Sequence, residues 1–362
     1  MVRFKQFLIF FNNPKEIQMS VENYRPNPDF NNILAVLRNE RPARPTLFEF
    51  FMNMPLYQRM AGPLPADCPK ELQPLLTTVL AFQNLGYDYA TVCMEGFGFE
   101  ATDNHGKASC SMNEGSAIYD RESFNAYAWP DPDMAVFHQL ADIAPFMPAG
   151  MKIIVRGSGG IFENVTTLVG YENLCIMIME DEELAADIFN QVGSRFLRYY
   201  ENVLKYDTVG TIIYNDDWGF RSQTLLSPDQ FRRFVFPWCK KIVAAAHASG
   251  RPAILHSCGQ LDAIWDDIID DMKFNAKHSY EDTILPVEES YEKYGKRIAI
   301  LGGLDLDFVC RSTPEEVYQR AKAIIAQTAK RGGYALGTGN SIPGYVPEEN
   351  YFAMIRAVQE TH

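Results

Sequence analysis

Residues 211–259 hold the unit from which the fold can be read: TIIYNDDWG (211–219), SPDQFRRFVFPWCKKIVAAAHASG (227–250) and PAILHSCG (252–259). Thr211–Tyr214 and Pro252–His256 are apolar runs too short for a stable helix and without polar alternation, so they read as strands buried on both faces. Between them, Ser227-Pro228-Asp229-Gln230 has the form of a capping box with proline at the first helical position. It predicts a helix from there to about Ser249, stopped by Gly250 and kinked at Pro237. Strand, helix and strand in this order form a parallel crossover unit.

The same alternation extends outward. Further strands are expected at Pro45–Phe51, Tyr87–Met94, Met151–Arg156, Phe274–His278, Ile298–Leu301 and Tyr334–Gly337. In Glu183–Tyr206 the residues Leu184, Ile188, Val192, Phe196, Tyr200 and Leu204 recur every fourth position and make one apolar stripe. Thr313-Pro314-Glu315-Glu316 is a second capping box, closed by Gly332-Gly333, and Pro347-Glu348-Glu349 opens the last helix. Eight strands alternating with helices predict an α/β fold of the (β/α)8 TIM-barrel type. An open doubly wound sheet is the alternative, but the first strand–helix turn has no GxGxxG, and Gly157-Ser158-Gly159-Gly160 lacks the Lys-Ser/Thr of a phosphate loop. The polar, aromatic stretch Glu95–Trp129 reads as an excursion over the barrel mouth. Its aromatic residues, from Phe97 to Trp129, could line a substrate pocket or simply pack the core.

Composition excludes several classes. With 33 Lys and Arg against 46 Asp and Glu, the formal charge of -13 opposes binding to a phosphate backbone. There is no polybasic run for an anionic membrane and no apolar run long enough to span one. Seven scattered cysteines among 362 residues argue against a disulfide framework and for a reducing, cytoplasmic location. The apolar stretch Phe7–Phe11 is too short for a signal peptide. Lys15-Glu16 is encodable as AAGGAG, a ribosome-binding sequence, shortly before Met19. Residues 1–18 therefore read as translated leader within an amino-terminal extension, 1–34, ahead of one barrel domain, 35–362.

In such barrels the chemistry lies at the carboxyl ends of the strands. Those ends supply Glu49, Glu95, Arg156, Asn215-Asp216-Asp217, His256-Ser257-Cys258-Gly259, His278 with Glu281, Asp305 and Asn340. Each has a structural alternative, such as helix capping by Asp216 or Asp217. His256-x-Cys258 is the sharpest element, because imidazole and thiolate at a strand end suit Zn2+. A third ligand must come from Glu95, Asp217, His278 or Glu281, with Glu95 and Asp217 preferred. A carboxylate there would leave zinc a stronger Lewis acid than a second thiolate would.

The carboxyl-terminal half resembles the uroporphyrinogen decarboxylase superfamily in YNDDWG (214–219), ILHSCG (254–259), IAILGGLD (298–305) and GYALGTGNSIPGYVP (333–347). The segment 156–184, with Gly170-Tyr171-Glu172 and Glu180-Asp181-Glu182, fits as well, and the similarity extends over most of 35–360. The resemblance implies a distorted (β/α)8 barrel with one of two activities. The decarboxylase branch is metal-free and uses an Arg-rich R-Q-A-G-R first loop. Here that loop reads LFEFFMNM (47–54), with Glu49 and no arginine, and Asn340 stands near the position of a family histidine. The other branch consists of methyltransferases that work with corrinoid proteins in anaerobic metabolism, with a zinc motif H-x-C and a later cysteine. His256 and Cys258 match its first two ligands; Asn340 falls at the third, and Cys310 is a weak substitute.

The reading preferred on these grounds is demethylation of a small O-, N- or S-methyl substrate, with transfer to cobalamin on a partner protein and zinc assistance. His256 and Cys258 are expected to hold the metal. Glu95 and Asp217 complete it or act as acid and base, and His278 donates a proton. Glu49, Arg156, Tyr214, Asp216 and Asn340 are expected to bind substrate. The alternative is a metal-free decarboxylase-like lyase with a diverged substrate.

Overall fold

The apolar runs pair in chain order. In the computed structural model, which describes residues 26–101 and 117–361, seven parallel strands form one sheet. They are β1 (Tyr89–Cys93), β2 (Lys152–Arg156), β3 (Val209–Asn215), β4 (Ala253–His256), β5 (Ala276–His278), β6 (Ala299–Leu301) and β7 (Tyr334–Ala335), each beside its sequence neighbour. β3 and β4 are buried along their whole length, as strands covered on both faces must be.

The eighth strand, expected at Pro45–Phe51, is not a full ladder. It touches β7's side of the barrel through two isolated parallel bridges, Leu47 to Leu336 and Met52 to Ile342. On the other edge it meets β1 through a side chain: the Glu49 N–H donates to the Tyr89 hydroxyl at 2.7 Å, which in turn donates to the Glu49 carbonyl at 3.1 Å. The Tyr89 phenol stands where a main-chain ladder would close, so the barrel is shut by a hydroxyl rather than by strand pairing. This is the physical content of its distortion.

The expected helices form where their caps stand. Ser227 and Gln230 close a reciprocal box, with bonds of 3.2 and 3.1 Å. The helix breaks at Val235 into Pro228–Phe234 and Phe236–Ala248, because Pro237 in the first turn of the second part has no N–H to continue the first. The four-residue stripe becomes Glu182–Val203, with Leu184, Ile188, Val192, Phe196 and Tyr200 buried. Thr313 caps Pro314–Thr328, and the last helix is Glu348–Gln359.

A further helix, Phe30–Leu37, crosses the domain boundary placed at residue 35. Asp29 caps it, Phe30, Ile33, Val36 and Leu37 are buried, and the Phe30 N–H donates to the Gly150 carbonyl at 2.8 Å. The leader reading for residues 1–18 falls outside the described residues, as does the centre of the Glu95–Trp129 excursion. Of its described aromatics, Phe97 stacks on Tyr199 at 5.2 Å and Phe99 packs on Phe196 at 5.8 Å, so these two are core. Among the described residues no helix is long and apolar enough to cross a membrane, and six cysteines are free.

Candidate metal and ligand site at the carboxyl ends of β3, β4 and β5

Two loops build the site. After β3 the chain runs Asp216-Asp217-Trp218-Gly219, and after β4 it runs Ser257-Cys258-Gly259. They pack backbone against backbone, with the Gly219 N–H donating to the Cys258 carbonyl at 3.2 Å. Gly259 has φ 84°, and a Cβ on it would fall inside the Gly219 carbonyl carbon, so glycine alone permits the approach. Trp218 fixes the turn from below: its main-chain N–H donates to Ser257 Oγ at 3.1 Å and its indole N–H to Asp216 Oδ2 at 2.8 Å.

The two adjacent aspartates therefore take opposite directions. Asp216 points into the protein and accepts from the main-chain N–H groups of Phe162 and Glu163 and from the Tyr214 hydroxyl at 2.8 Å. It caps the helix Ile161–Val169 from another element, and burial, partly offset by these donors, pushes its carboxyl up to about 6. Tyr214 and Asp216, expected to bind substrate, are fully buried and direct their polar atoms to this cap. Asp217 points the other way. Its Oδ1 accepts from the Cys258 N–H at 2.9 Å, and it groups with His256 and Cys258 so that their donor atoms lie within 4.8 Å of one another.

The hydrogen bonds around His256 determine its tautomer. His278 Nε2 lies 3.0 Å from the Thr338 carbonyl, which can only accept, so His278 carries its proton on Nε2. Burial holds His278 down to about 3, hence neutral, and its Nδ1 is a lone pair. That atom lies 2.8 Å from His256 Nδ1. His256, held well below its ordinary value by burial first and then by neighbouring cationic and imidazole groups, is neutral too and must donate from Nδ1. Its Nε2 is left as a lone pair, 3.8 Å from Cys258 Sγ. Phe50 stacks on the ring at 4.0 Å and holds its plane.

The thiol is equally constrained. Cys258 Sγ lies 3.6 Å from Ser279 Oγ and accepts from Asn340 Nδ2 at 3.4 Å. Burial, and after it the charge of Asp217, pushes the thiol far up, so a cation is required to hold it as thiolate. The donor set fits a zinc-type ion: one imidazole lone pair, one thiol and one carboxylate. Orientation of the imidazole through its other nitrogen is the usual outer-shell arrangement of a metal-binding histidine.

The remaining expected residues are distributed as follows. His278, expected to donate a proton, is fully buried with both ring nitrogens engaged, one on the Thr338 carbonyl and one on His256. Glu95 is exposed and stands outside the three-residue group. Glu49 is fully buried beneath the floor, accepting from Thr338 Oγ1 at 2.9 Å, and burial pushes it up to about 8. Glu49, expected to bind substrate, thus has no exposed atom and spends its carboxyl on Thr338. Asp305 caps the helix Leu306–Arg311, and Glu281 and Cys310 are half-buried and outside the group. Arg156 does reach the mouth, over the rings of Phe50 at 5.5 Å and Phe51 at 5.4 Å. Phe50, Thr338, Ser279 and the orienting role of His278 were not singled out in the sequence, because no local pattern marks a side chain whose partner is tens of residues away.

A parallel barrel with acid, imidazole and thiol converging where its central strands end is a TIM-type enzyme scaffold with a ligand-ready mouth. The chain belongs to the uroporphyrinogen decarboxylase (URO-D) family, whose model matches residues 113–361. It is 34% identical over 141 residues to a methylated-thiol–coenzyme M methyltransferase of Methanosarcina mazei, covering 39% of this chain and 35% of that one. It is 23% identical over 212 residues to a uroporphyrinogen decarboxylase of Shewanella loihica, covering 58% and 54%. The matches thus span about a third and about half of these relatives. Among solved structures, a methyltransferase from Methanosarcina mazei superposes with a TM-score of 0.70 at 20% identity, over 91% of this chain and 97% of that one. At that identity the likeness concerns the fold.

Proposed function

We propose that this protein is a methyltransferase that takes a methyl group from oxygen, nitrogen or sulfur of a small molecule and passes it to a cobalamin-binding partner protein. The observation that carries the reading is the convergence of Asp217, His256 and Cys258, with His256 Nε2 presented as a lone pair. The longer decarboxylase-type reading lacks its anchor: the first loop presents Phe50 and Phe51 to the mouth and no arginine.

The chemical obstacle in demethylation is the poor leaving group. A zinc-type ion held by Asp217, His256 and Cys258 would supply Lewis acidity at the heteroatom that loses its methyl group. The chain's own residues do the rest. His278 and the Thr338 carbonyl fix the His256 ring and tautomer. The Asn340 N–H on Cys258 Sγ draws electron density from the sulfur, which makes Cys258 itself a poorer competitor for the methyl group. Phe50 and Phe51 give the mouth an apolar wall that excludes water from one side. Asp217 and Cys258 are not fully buried, which leaves the site an approach from the face where a partner would dock.

Metal analysis of protein purified without an affinity tag tests this. About one zinc per chain, lost in His256→Ala, together with a spectral change when reduced corrinoid and a methyl donor are added, supports it. Protein that binds no metal and leaves the corrinoid spectrum unchanged with every O-, N- and S-methyl donor offered refutes it.

A further inference from the structure

The mouth contains two polar side chains that the metal site does not use. Asn215, at the end of β3, is only 7% exposed, yet its Oδ1 has no hydrogen-bond partner. Among the described residues Arg156, at the end of β2, donates only to the Gly157 carbonyl, at 3.1 Å, and has no carboxylate within ion-pair range. Both facts are unusual, since buried amides are normally satisfied and buried or half-buried guanidinium groups are normally paired.

Register places the two together. Arg156 pairs with Ile213 across β2 and β3, and Asn215 pairs with His256 across β3 and β4. Residues two apart on a strand share a face, as do paired residues on neighbouring strands. Arg156, Ile213, Asn215 and His256 therefore all face the lumen, in a row that ends at the metal-ligand group. Phe50 joins the ends of that row, since its ring carries His256 at 4.0 Å and the Arg156 guanidinium at 5.5 Å. The carboxylate nearest in character, Glu163, is committed to the Gly160 N–H at 2.9 Å. Among the described residues, then, a cation is held over two aromatic rings near an amide oxygen without a hydrogen-bond partner, and no carboxylate pairs with that cation directly; Glu163 acts on it only through space.

We infer that Arg156 and Asn215 form a subsite for a carboxylate-type oxyanion on the small-molecule substrate, and that the reacting heteroatom lies a short linker away at Asp217, His256 and Cys258. This rests on the small-molecule reading of the mouth given above. The guanidinium fork matches two oxygens of such a group, and the Asn215 amide can turn its NH2 toward a third lone pair. Neutral methyl compounds of the same size would leave the cation unpaired and should be discriminated against.

The test uses 3-mercaptopropionate and its neutral isostere 3-mercaptopropionamide, titrated into Co2+-loaded protein by the sulfur-to-cobalt absorption band and into metal-free protein by calorimetry. The expected result is at least about tenfold tighter binding of the acid, as for a charge-assisted pair. Arg156→Met should erase the preference, Arg156→Lys should restore part of it, and Asn215→Leu should reduce it. Equal binding of acid and amide, no detectable binding of the acid in either form, or a preference that survives Arg156→Met overturns the inference. Failure of Co2+ to bind overturns the metal reading instead, and the calorimetric comparison on metal-free protein then still decides the anion subsite.

Discussion

Replacing His278 by leucine examines the tautomer argument directly. The change removes an acceptor 2.8 Å from His256 Nδ1 and a donor 3.0 Å from the Thr338 carbonyl, both in a place with no access to water. The Thr338 carbonyl keeps the Gly303 N–H at 2.9 Å, so only the His256 Nδ1–H is left without a partner, and the variant should lose about 1–3 kcal/mol of stability. Leucine keeps the apolar contact that the imidazole makes edge-on with Phe48, at 5.1 Å, so the barrel should survive. The metal effect is separate. Without the Nδ1 acceptor, His256 gains nothing from protonation at Nδ1, and a share of the population moves the proton to Nε2, the atom needed as ligand. Loss of such an orienting partner typically costs about 10–100-fold in metal affinity. Nitrogen-detected NMR of metal-free protein reads the tautomer, and zinc titration against a competing chelator reads the affinity of the folded fraction. Wild type should show His256 protonated at Nδ1, and His278→Gln, which restores an acceptor, should recover part of the affinity. If wild-type His256 carries its proton on Nε2, or if His278→Leu binds zinc as tightly as wild type, the reasoning is refuted.

Three further outcomes are expected. Cys258→Ser should weaken metal binding and abolish demethylation with the far-ultraviolet spectrum unchanged; a variant with full metal content and full activity removes Cys258 from the site. Glu49 is protonated when folded up to about pH 8 but only up to about 4.5 when unfolded, so the native state binds the extra proton and loses stability as pH rises through that window. The advantage of Glu49→Gln over wild type in denaturant unfolding should thus grow between pH 5 and 8, by up to a few kcal/mol (~1.4 kcal/mol per unit of pH); a difference flat with pH contradicts the buried position of Glu49. Gly259→Ala would force a left-handed residue to carry a Cβ into the Gly219 carbonyl, so it should cost about 2–4 kcal/mol and reduce metal affinity by parting Asp217 from Cys258, measurable by melting and zinc titration.

The sequence alone determined the parts of this protein that local chemistry controls. Ser227 and Thr313 open helices because their hydroxyls satisfy N–H groups three residues on, and Pro237 breaks a helix because it has no N–H to give. β3 and β4 announce themselves as unbroken apolar runs because both their faces are covered. His256-x-Cys258 was legible as a candidate metal pair because two potential donors two residues apart at a strand end need no tertiary information to be recognised. What only the fold decided are relations across the barrel. Asp216 and Asp217 are the same residue type at adjacent positions, and which one turns outward depends on Trp218 and on the cap it supplies to Ile161–Val169, a segment more than forty residues earlier. Glu49 looks like a charged rim residue in sequence, but the Tyr89 hydroxyl that replaces a strand ladder draws its backbone inward and leaves its carboxyl buried on Thr338. His278 looks like an acid, and the Thr338 carbonyl makes it the residue that sets the protonation of His256. A hydrogen bond's direction depends on which atom meets which, and that is settled only when the chain has closed.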